Sequence, residues 1–356
     1  MSRVLLVVSG AVPEDVREQV AGGRRPRPDY LELARVMGAD LVDVDEARRR
    51  SGRIGALAHR LGGGALVLAW FCFRHRRRYD VVLTDGEHVG LPLALLCRLT
   101  FARPFAHVMI VHILSVPKKA ALFRWFRLGR YVDTMLVYAT AQERFVVDEL
   151  HHPADRVVLT TFMVDTAFFR PDAVEAAAGR MICAAGLERR DYPTLIEAVR
   201  GLDVRVVIAA ASPWSKQADS SAGAALPPNV EITKLGFVDL RQLYADARFV
   251  VMPLYDTEFQ AGVTTILEAM AMGRAVVCSR TRGQTDVLHD GVTGVYVAPG
   301  DAAALRAAIE RLLDDPAAAD AIGTAARAEV VRTADVTVYA ERLAAVAERA
   351  AARHAR

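Results

Sequence analysis

The sequence predicts an α/β protein made of two Rossmann-like, doubly wound domains facing a central cleft. Three observations carry that expectation. Short apolar runs alternate with amphipathic stretches along the chain, as when β-strands are joined by helices into parallel sheets. The alternation runs through one half, pauses at the Phe- and Pro-containing segment Phe162–Pro171, then starts again. The length, 356 residues, suits about two domains with a core each.

Composition narrows the class. With 53% hydrophobic and 24% charged residues the chain is globular in character, neither disordered nor fibrous. A formal charge of +3 selects no partner, and the arginines cluster without interleaved aromatics, which argues against nucleic acid. The four cysteines, Cys72, Cys97, Cys183 and Cys278, fall in apolar runs and share no metal-ligand spacing, so buried free thiols in a reducing cytoplasm are expected. Met1–Val8 runs straight into a strand with no signal-peptide cleavage pattern. No apolar run reaches the roughly 18 residues of a membrane span.

In order, Arg3–Val8 reads as the first strand, with Gly10 just past its end, where ligands bind in doubly wound folds. Ala11–Tyr30 is a Pro-, Gly- and Arg-rich loop with part of a helix, either a solvated connection or a lid. Leu41–Val44 is the second strand. Gly52–Arg78 is a long helix with an apolar centre and arginines at both ends. It reads as a core helix with snorkelling arginines, with peripheral contact to an anionic bilayer left open. Strands at Asp80–Thr84, Ala106–Ile110, Thr134–Tyr138 and Arg156–Thr160 complete this half, with helices at Gly90–Leu99 and Thr140–Leu150, the latter opened by Thr140 as N-cap. Asp85–His88 and His112–Ser115 lie at strand ends that face the expected cleft.

The second half repeats the pattern, with strands at Met181–Ala185, Arg205–Ala210, Val230–Thr233 and Phe249–Met252 and helices at Pro193–Arg200 and Asp239–Asp246. A loop, Tyr255–Gly262, leads into the apolar helix Val263–Met272, which Gly273 stops, and strands follow at Ala275–Cys278 and Gly294–Ala298. Gly262 lets the backbone approach a ligand, and the free N–H groups of Val263, Thr264 and Thr265 suit a phosphate. Glu268, one turn further on the same face, suits the paired hydroxyls of a ribose. Gln260, eight residues before Glu268 in the preceding loop, could reach a sugar hydroxyl. Asp301–Asp314 is an amphipathic helix with an acidic N-cap. Ala317–Val331 and Val338–Arg349 are Ala- and Arg-rich helices that leave oligomerisation open.

Glu268-Ala269-Met270-Ala271, Gly273-Arg274-Ala275-Val276-Val277 and the loop Thr281–Gly294 resemble the signature of the family 4 retaining glycosyltransferases, enzymes of the GT-B architecture. The chain departs from that signature in carrying Gln260 where the family has a first Glu, unless Glu258, two residues off register, takes that role, and in carrying Gly262 one residue early. The resemblance implies transfer of a sugar from a nucleoside-diphosphate sugar, UDP- or GDP-linked, to an acceptor hydroxyl on a small molecule, lipid or glycan, with retention and no metal. It implies diphosphate contacts from Arg189 or Arg190 as well as the helix start, and a catalytic set of His112, Arg190, Gln260 and Glu268. The stretch Ser212–Lys216, which follows the strand Arg205–Ala210, is expected to neighbour the nucleotide base, with Lys216 among the donor contacts. Glu87, His88 and Ser115 are the acceptor-side candidates. It places an acceptor domain at 1–164, a donor domain at 165–335, and a terminal helix, 336–356, returning to the first domain. Two alternatives stand beside transfer: a sugar-nucleotide epimerase or hydrolase of the same fold, and a catalytically weak nucleotide-binding subunit.

Overall fold

The computed structural model describes residues 2–177, 179–210 and 226–356. It divides into two compact units, the first comprising 1–17, 28–160 and 337–356 and the second 18–27 and 161–336.

The first unit holds a six-stranded parallel sheet of β1 (Val4–Val7), β2 (Asp40–Val42), β3 (Val81–Thr84), β4 (Ala106–Ile110), β5 (Thr134–Val137) and β6 (Val157–Leu159), in the order β2-β1-β3-β4-β5-β6. The second holds β7 (Met181–Ala185), β8 (Arg205–Ala209), β9 (Val230–Thr233), β10 (Phe249–Met252), β11 (Ala275–Ser279) and β12 (Val295–Val297), in the order β12-β11-β10-β7-β8-β9. Each order reverses direction once, the topology of a doubly wound sheet, and ligands then bind at the carboxyl ends of the strands beside the reversal.

Alternation of side chains across the second sheet separates its two cores. Cys183, Val207, Val250 and Val276 join one apolar cluster, while their neighbours Ile182, Val206, Val251 and Val277 join the other. Both faces are dry because helices cover both, so the strands read as continuous apolar runs rather than alternating ones. All four cysteines are free and buried, and burial raises their thiol pKa values, to about 12 for Cys97 and Cys278.

The expected element order stands, with local corrections. Thr140 is not the cap of its helix: Ala139 is, and the Gln142 carboxamide oxygen accepts from the N–H groups of Tyr138 and Ala139. A helix at Pro117–Trp125 was not anticipated. The chain leaves the first unit after Thr160 rather than 164, and residues 18–27 belong with the second unit. There Arg27 clamps Asp165 through its backbone N–H at 2.8 Å and its guanidinium at 2.8 and 3.1 Å. The terminal helix Val336–His354 lies with the first unit from Thr337 onward. It is held by Tyr339 against Tyr138, hydroxyl to hydroxyl at 2.8 Å, and by Arg353 donating to Thr134 Oγ1 at 2.8 Å.

The largest correction concerns the long helix. It runs from Val44 to His75 and, counting its alanines and glycines, is long and apolar enough to cross a membrane by length and composition, though no unbroken apolar run in it is. It is not one rod. Gly52, Gly62 and Gly63 leave helical geometry, and Val44 packs over Gly64, so the chain runs out and folds back on itself. Most of its core residues, Val67, Leu68, Phe71 and Cys72 among them, come from the returning part, with Ala47 joining them from the first turns.

Candidate functional site

Two clusters of chemically capable side chains form, one in each unit, both at carboxyl ends of strands.

In the second unit the helix Val263–Ala271 starts directly beyond β10 and its loop, with Gly262 as its cap at φ 77°. Arg190 comes from the loop after β7 and is 4% exposed. Its guanidinium donates from Nε to the Ala185 carbonyl at 2.8 Å, from Nη1 to the Glu188 carbonyl at 2.7 Å, and from Nη2 to Thr265 Oγ1 at 3.4 Å. Gly186 and Gly262 make the seat for it. Both have positive φ, and a Cβ on Gly186 would stand 2.4 Å from Arg190 Nη2, one on Gly262 3.1 Å from Nη1. Side chains there would displace the arginine, so the two glycines are required for close approach as well as for conformation. Burial lowers the pKa of Arg190, but a guanidinium remains charged at any ordinary pH.

Glu268 sits one turn along the same helix and is 6% exposed. Its Oε2 accepts from the Tyr244 hydroxyl at 2.9 Å. Burial raises its pKa to about 7, against the opposing pull of that hydrogen bond and of Arg190. Arg190, Thr264, Thr265, Glu268 and Gly262 share one cavity of about 260 Å³, with Phe237 on its apolar wall. Fixed positive charge, a helix N-terminus and a carboxylate near its titration point line a single pocket. Such a lining binds a ligand carrying both an anion and hydroxyl groups.

The other described second-unit candidates, Val263, Arg189, Glu258 and Gln260, do not line this pocket. Val263 is the first, buried residue of the helix. Arg189 adopts φ 57° and donates to the Asp256 carbonyl at 3.0 Å, which commits it to holding the loop. Glu258 is exposed and accepts from Arg282 at 2.8 Å. Gln260 is half-buried, and its Oε1 has no hydrogen-bond partner among the described residues. Lys216, with the Ser212–Lys216 stretch expected near a base, lies outside the described residues.

In the first unit His112 follows β4, and its Nε2 meets Asp85 Oδ1 at 3.0 Å. Burial pulls the pKa of His112 down, but the hydrogen bond and charge of Asp85, with Glu87 and Asp29, outweigh it and the pKa is raised. Glu87, expected among the acceptor contacts, is instead 2% exposed. Its carboxylate accepts from the N–H of His112 at 2.9 Å, the N–H of Ile113 at 3.2 Å and Lys119 Nζ at 2.5 Å. Glu87 therefore positions His112 and is not available to a ligand. His88 is exposed and approaches His112 over Gly86, while Ser115 is half-buried in the loop after β4. Gly10 is exposed past β1 in this unit.

Sequence reasoning missed three residues. Tyr244, the partner of Glu268, comes from a helix 24 positions earlier, and no local pattern marks it. Asp85 was visible as a strand-end acid, but its pairing with His112 spans 27 residues. Asp29 starts the helix Asp29–Met37, and its pKa is raised to about 6 by burial and by the Asp85 charge.

Comparisons with known proteins bear on the second unit and on the fold. Residues 178–315 match the family model described as glycosyl transferases group 1. A 142-residue stretch is 31% identical to the alpha-D-kanosaminyltransferase of Streptomyces kanamyceticus, covering 39% of this chain and 36% of that one. A 113-residue stretch is 34% identical to the glycogen synthase of Mycobacterium tuberculosis, covering 30% of this chain and 27% of that one. The chain thus aligns with only about a third of the length of these curated relatives. Whole-chain likeness comes from folds. The Anabaena HepE structure, solved with UDP-glucose, superposes with a TM-score of 0.70 at 16% identity over 97% of this chain and 98% of that one. The sucrose-phosphate synthase of Thermosynechococcus elongatus superposes with 0.71 at 15% identity over 99% and 100%. The fold is therefore GT-B, and the stretch that matches the group 1 glycosyltransferase model lies in the second unit.

Proposed function

We propose that the protein transfers a sugar from a nucleoside-diphosphate sugar to an acceptor hydroxyl, with retention at the anomeric carbon. The observation that carries the reading is the buried Arg190 guanidinium beside the N-terminus of the helix Val263–Ala271, with Glu268 in the same pocket. A diphosphate presents pairs of oxygens that a guanidinium fork and free N–H groups match, and a ribose presents two vicinal hydroxyls whose hydrogen bonds a carboxylate accepts. Arg190, Thr265 and the helix N-terminus would stabilise the charge that develops as the diphosphate leaves, from positions the fold already fixes. That arrangement calls for no metal.

The part most open to acid is Glu268. With its pKa near 7 it is half protonated at neutrality and must ionise to hold a ribose. A ligand that donates two hydrogen bonds would pull the proton off, so donor binding and proton release are linked. Gln260 supplies a neutral amide oxygen that has no partner among the described residues, suited to a sugar hydroxyl without adding negative charge near the leaving group. The support for UDP as the nucleotide is the UDP-glucose bound by Anabaena HepE. His112 and Asp85 belong to the acceptor side in this reading.

Thermal unfolding with a panel of nucleoside diphosphates and their sugars, with and without chelator, tests it. A ligand at a hundred times its Kd adds roughly 2.7 kcal/mol. A shift from one nucleotide, insensitive to chelator and abolished by Arg190→Ala, is expected. Absence of any shift across the panel removes the reading. Donor consumption without any acceptor would point instead to an epimerase or hydrolase.

A further inference from the structure

From Ala47 to Tyr79 the chain has no Asp or Glu, while Arg48, Arg49, Arg50, Arg53 and Arg60 fall within a few turns of one another. The excursion folded around Val44 and Gly64 puts the middle of this stretch outside the core. Between the breaks at Gly52 and Gly62 lies a helical segment, 53–61, exposed over most of its surface. Ile54, Leu57 and Leu61 share one face of it by their spacing, and they are 54%, 56% and 74% exposed. Arg53 and Arg60, seven residues apart, run along the edge of that face. Arg50 pairs with Glu46 at 2.9 Å, but no carboxylate pairs with Arg48, Arg49, Arg53 or Arg60 among the described residues. A soluble surface rarely keeps large aliphatic side chains in register with unpaired arginines.

We propose that segment 53–61 is an interfacial helix that docks the protein on an anionic lipid bilayer. The aliphatic face enters the boundary between headgroups and acyl chains, and the arginines lie among lipid phosphates, the arrangement of helices that rest in a membrane plane. The charge on the page selects this occupant: an apolar face meant for another protein needs no acid-free rim, and a polyanion alone needs no Leu and Ile. The glycines at both ends let the segment turn to lie flat. The inference stands apart from sugar transfer, and its failure would leave that reading untouched.

The experiment is flotation of the full-length protein with vesicles of phosphatidylcholine alone or with about a third phosphatidylglycerol, at low and high salt. Binding only to the anionic vesicles, weakened by salt, is expected. Ile54→Ser with Leu57→Ser and Leu61→Ser should cut the partition coefficient by at least roughly tenfold. Arg53→Ala with Arg60→Ala should cut it by roughly thirtyfold. Both variants change exposed residues, so their melting temperatures should match the parent, and a shift in either would disqualify that variant. Independently, Leu57→Trp should blue-shift the added tryptophan emission on anionic vesicles only. Three outcomes overturn the proposal. They are no flotation, flotation unchanged by the triple serine variant (a polyanion surface), and a soluble dimer that the triple serine variant dissociates (a second copy as the occupant).

Discussion

The two charged clusters are built on opposite principles. In the second unit Arg190 and Glu268 are almost wholly buried, and each is fixed to framework: Arg190 to two carbonyls, Glu268 to a tyrosine. In the first unit the working pair, Asp85 and His112, is partly exposed, and the buried charge beneath it, Glu87, is already neutralised by Lys119 and two N–H groups. Burying charged groups is costly, and pockets that bind a charged ligand are where such groups are commonly kept. Satisfied charge below an exposed pair makes a scaffold on which different partners can be accommodated. The contrast fits a pocket dedicated to one ligand chemistry and an edge that tolerates variation.

If that contrast is right, the largest effect belongs to Arg190. Arg190→Ala should lower kcat/KM roughly 100- to 1,000-fold, the range for removing one preorganised donor from a developing anion. Arg190→Lys should recover little, because a point charge cannot keep the fork between two carbonyls and a diphosphate. Asp85→Asn should leave the nucleotide Kd unchanged. Steady-state kinetics and calorimetry on the three variants decide the matter. Equal loss of nucleotide binding in Asp85→Asn would break the comparison.

Glu268 separates binding from stability. Its pKa near 7 in the fold exceeds the usual value of 4.5. A raised carboxyl pKa penalises the folded state as pH climbs from the unfolded value, and the penalty is complete above the folded one. The difference corresponds to about 3 kcal/mol at most. Glu268→Gln should therefore raise the melting temperature by several degrees at pH 8 and not at pH 4.5, while weakening donor binding about tenfold at pH 8. For the parent, affinity for a nucleoside-diphosphate sugar should fall as pH drops below 7, and the Gln variant should lose that dependence. A variant less stable than the parent at pH 8 would show that Glu268 is held ionised by groups other than its ligand.

Gly262→Ala comes next. A Cβ there would stand 2.8 Å from Met252 Sδ and 3.1 Å from Arg190 Nη1 at a φ of 77°. We expect a loss of about 1–2 kcal/mol in denaturant unfolding, with a rise in donor KM from the displaced arginine. A rise in KM without loss of stability would mean that the arginine yields before the backbone does.

The stretch from Phe249 to Val297 was legible because its chemistry is local. A strand, a glycine, a helix start and a carboxylate one turn on all fall within twenty residues of one another, and the helical repeat places them together. Arg190 was reachable because it follows a strand end in the same sheet. Tyr244, Asp29 and the clamp on Glu87 were not, since they depend on which helices a doubly wound sheet brings alongside. The long helix was misjudged for another reason. A glycine in an apolar run costs only about 1 kcal/mol against alanine in a helix, so Gly52, Gly62 and Gly63 did not declare themselves as hinges. Only the fold shows that Ile54, Leu57 and Leu61 leave the core while Val67 and Phe71 enter it.

The smallest effect tests the other side of the comparison and should change sign with pH. Asp85 does two things in the first unit. It raises the pKa of His112, and it helps burial raise that of Asp29 to about 6. The stability that His112 contributes is present in full below its unfolded pKa, near 6.5, and is lost as pH rises through the folded value. The penalty on Asp29 runs the other way: absent at low pH, it grows from the unfolded carboxylate value and is complete above about 6. Asp85→Asn removes its share of both. At pH 5 the imidazolium loses its partner and Asp29 is mostly protonated, so the variant should melt below the parent. Above the folded pKa of His112 the imidazole is neutral and Asp29 is relieved of a neighbouring charge, so the variant should there melt at or slightly above the parent. The asparagine Oδ1 preserves the acceptor for His112 throughout, which confines the difference to charge. A melting difference of constant sign from pH 5 to above that pKa would mean that Asp85 serves packing alone, and the first-unit pair would then lose its claim to be a titrating site.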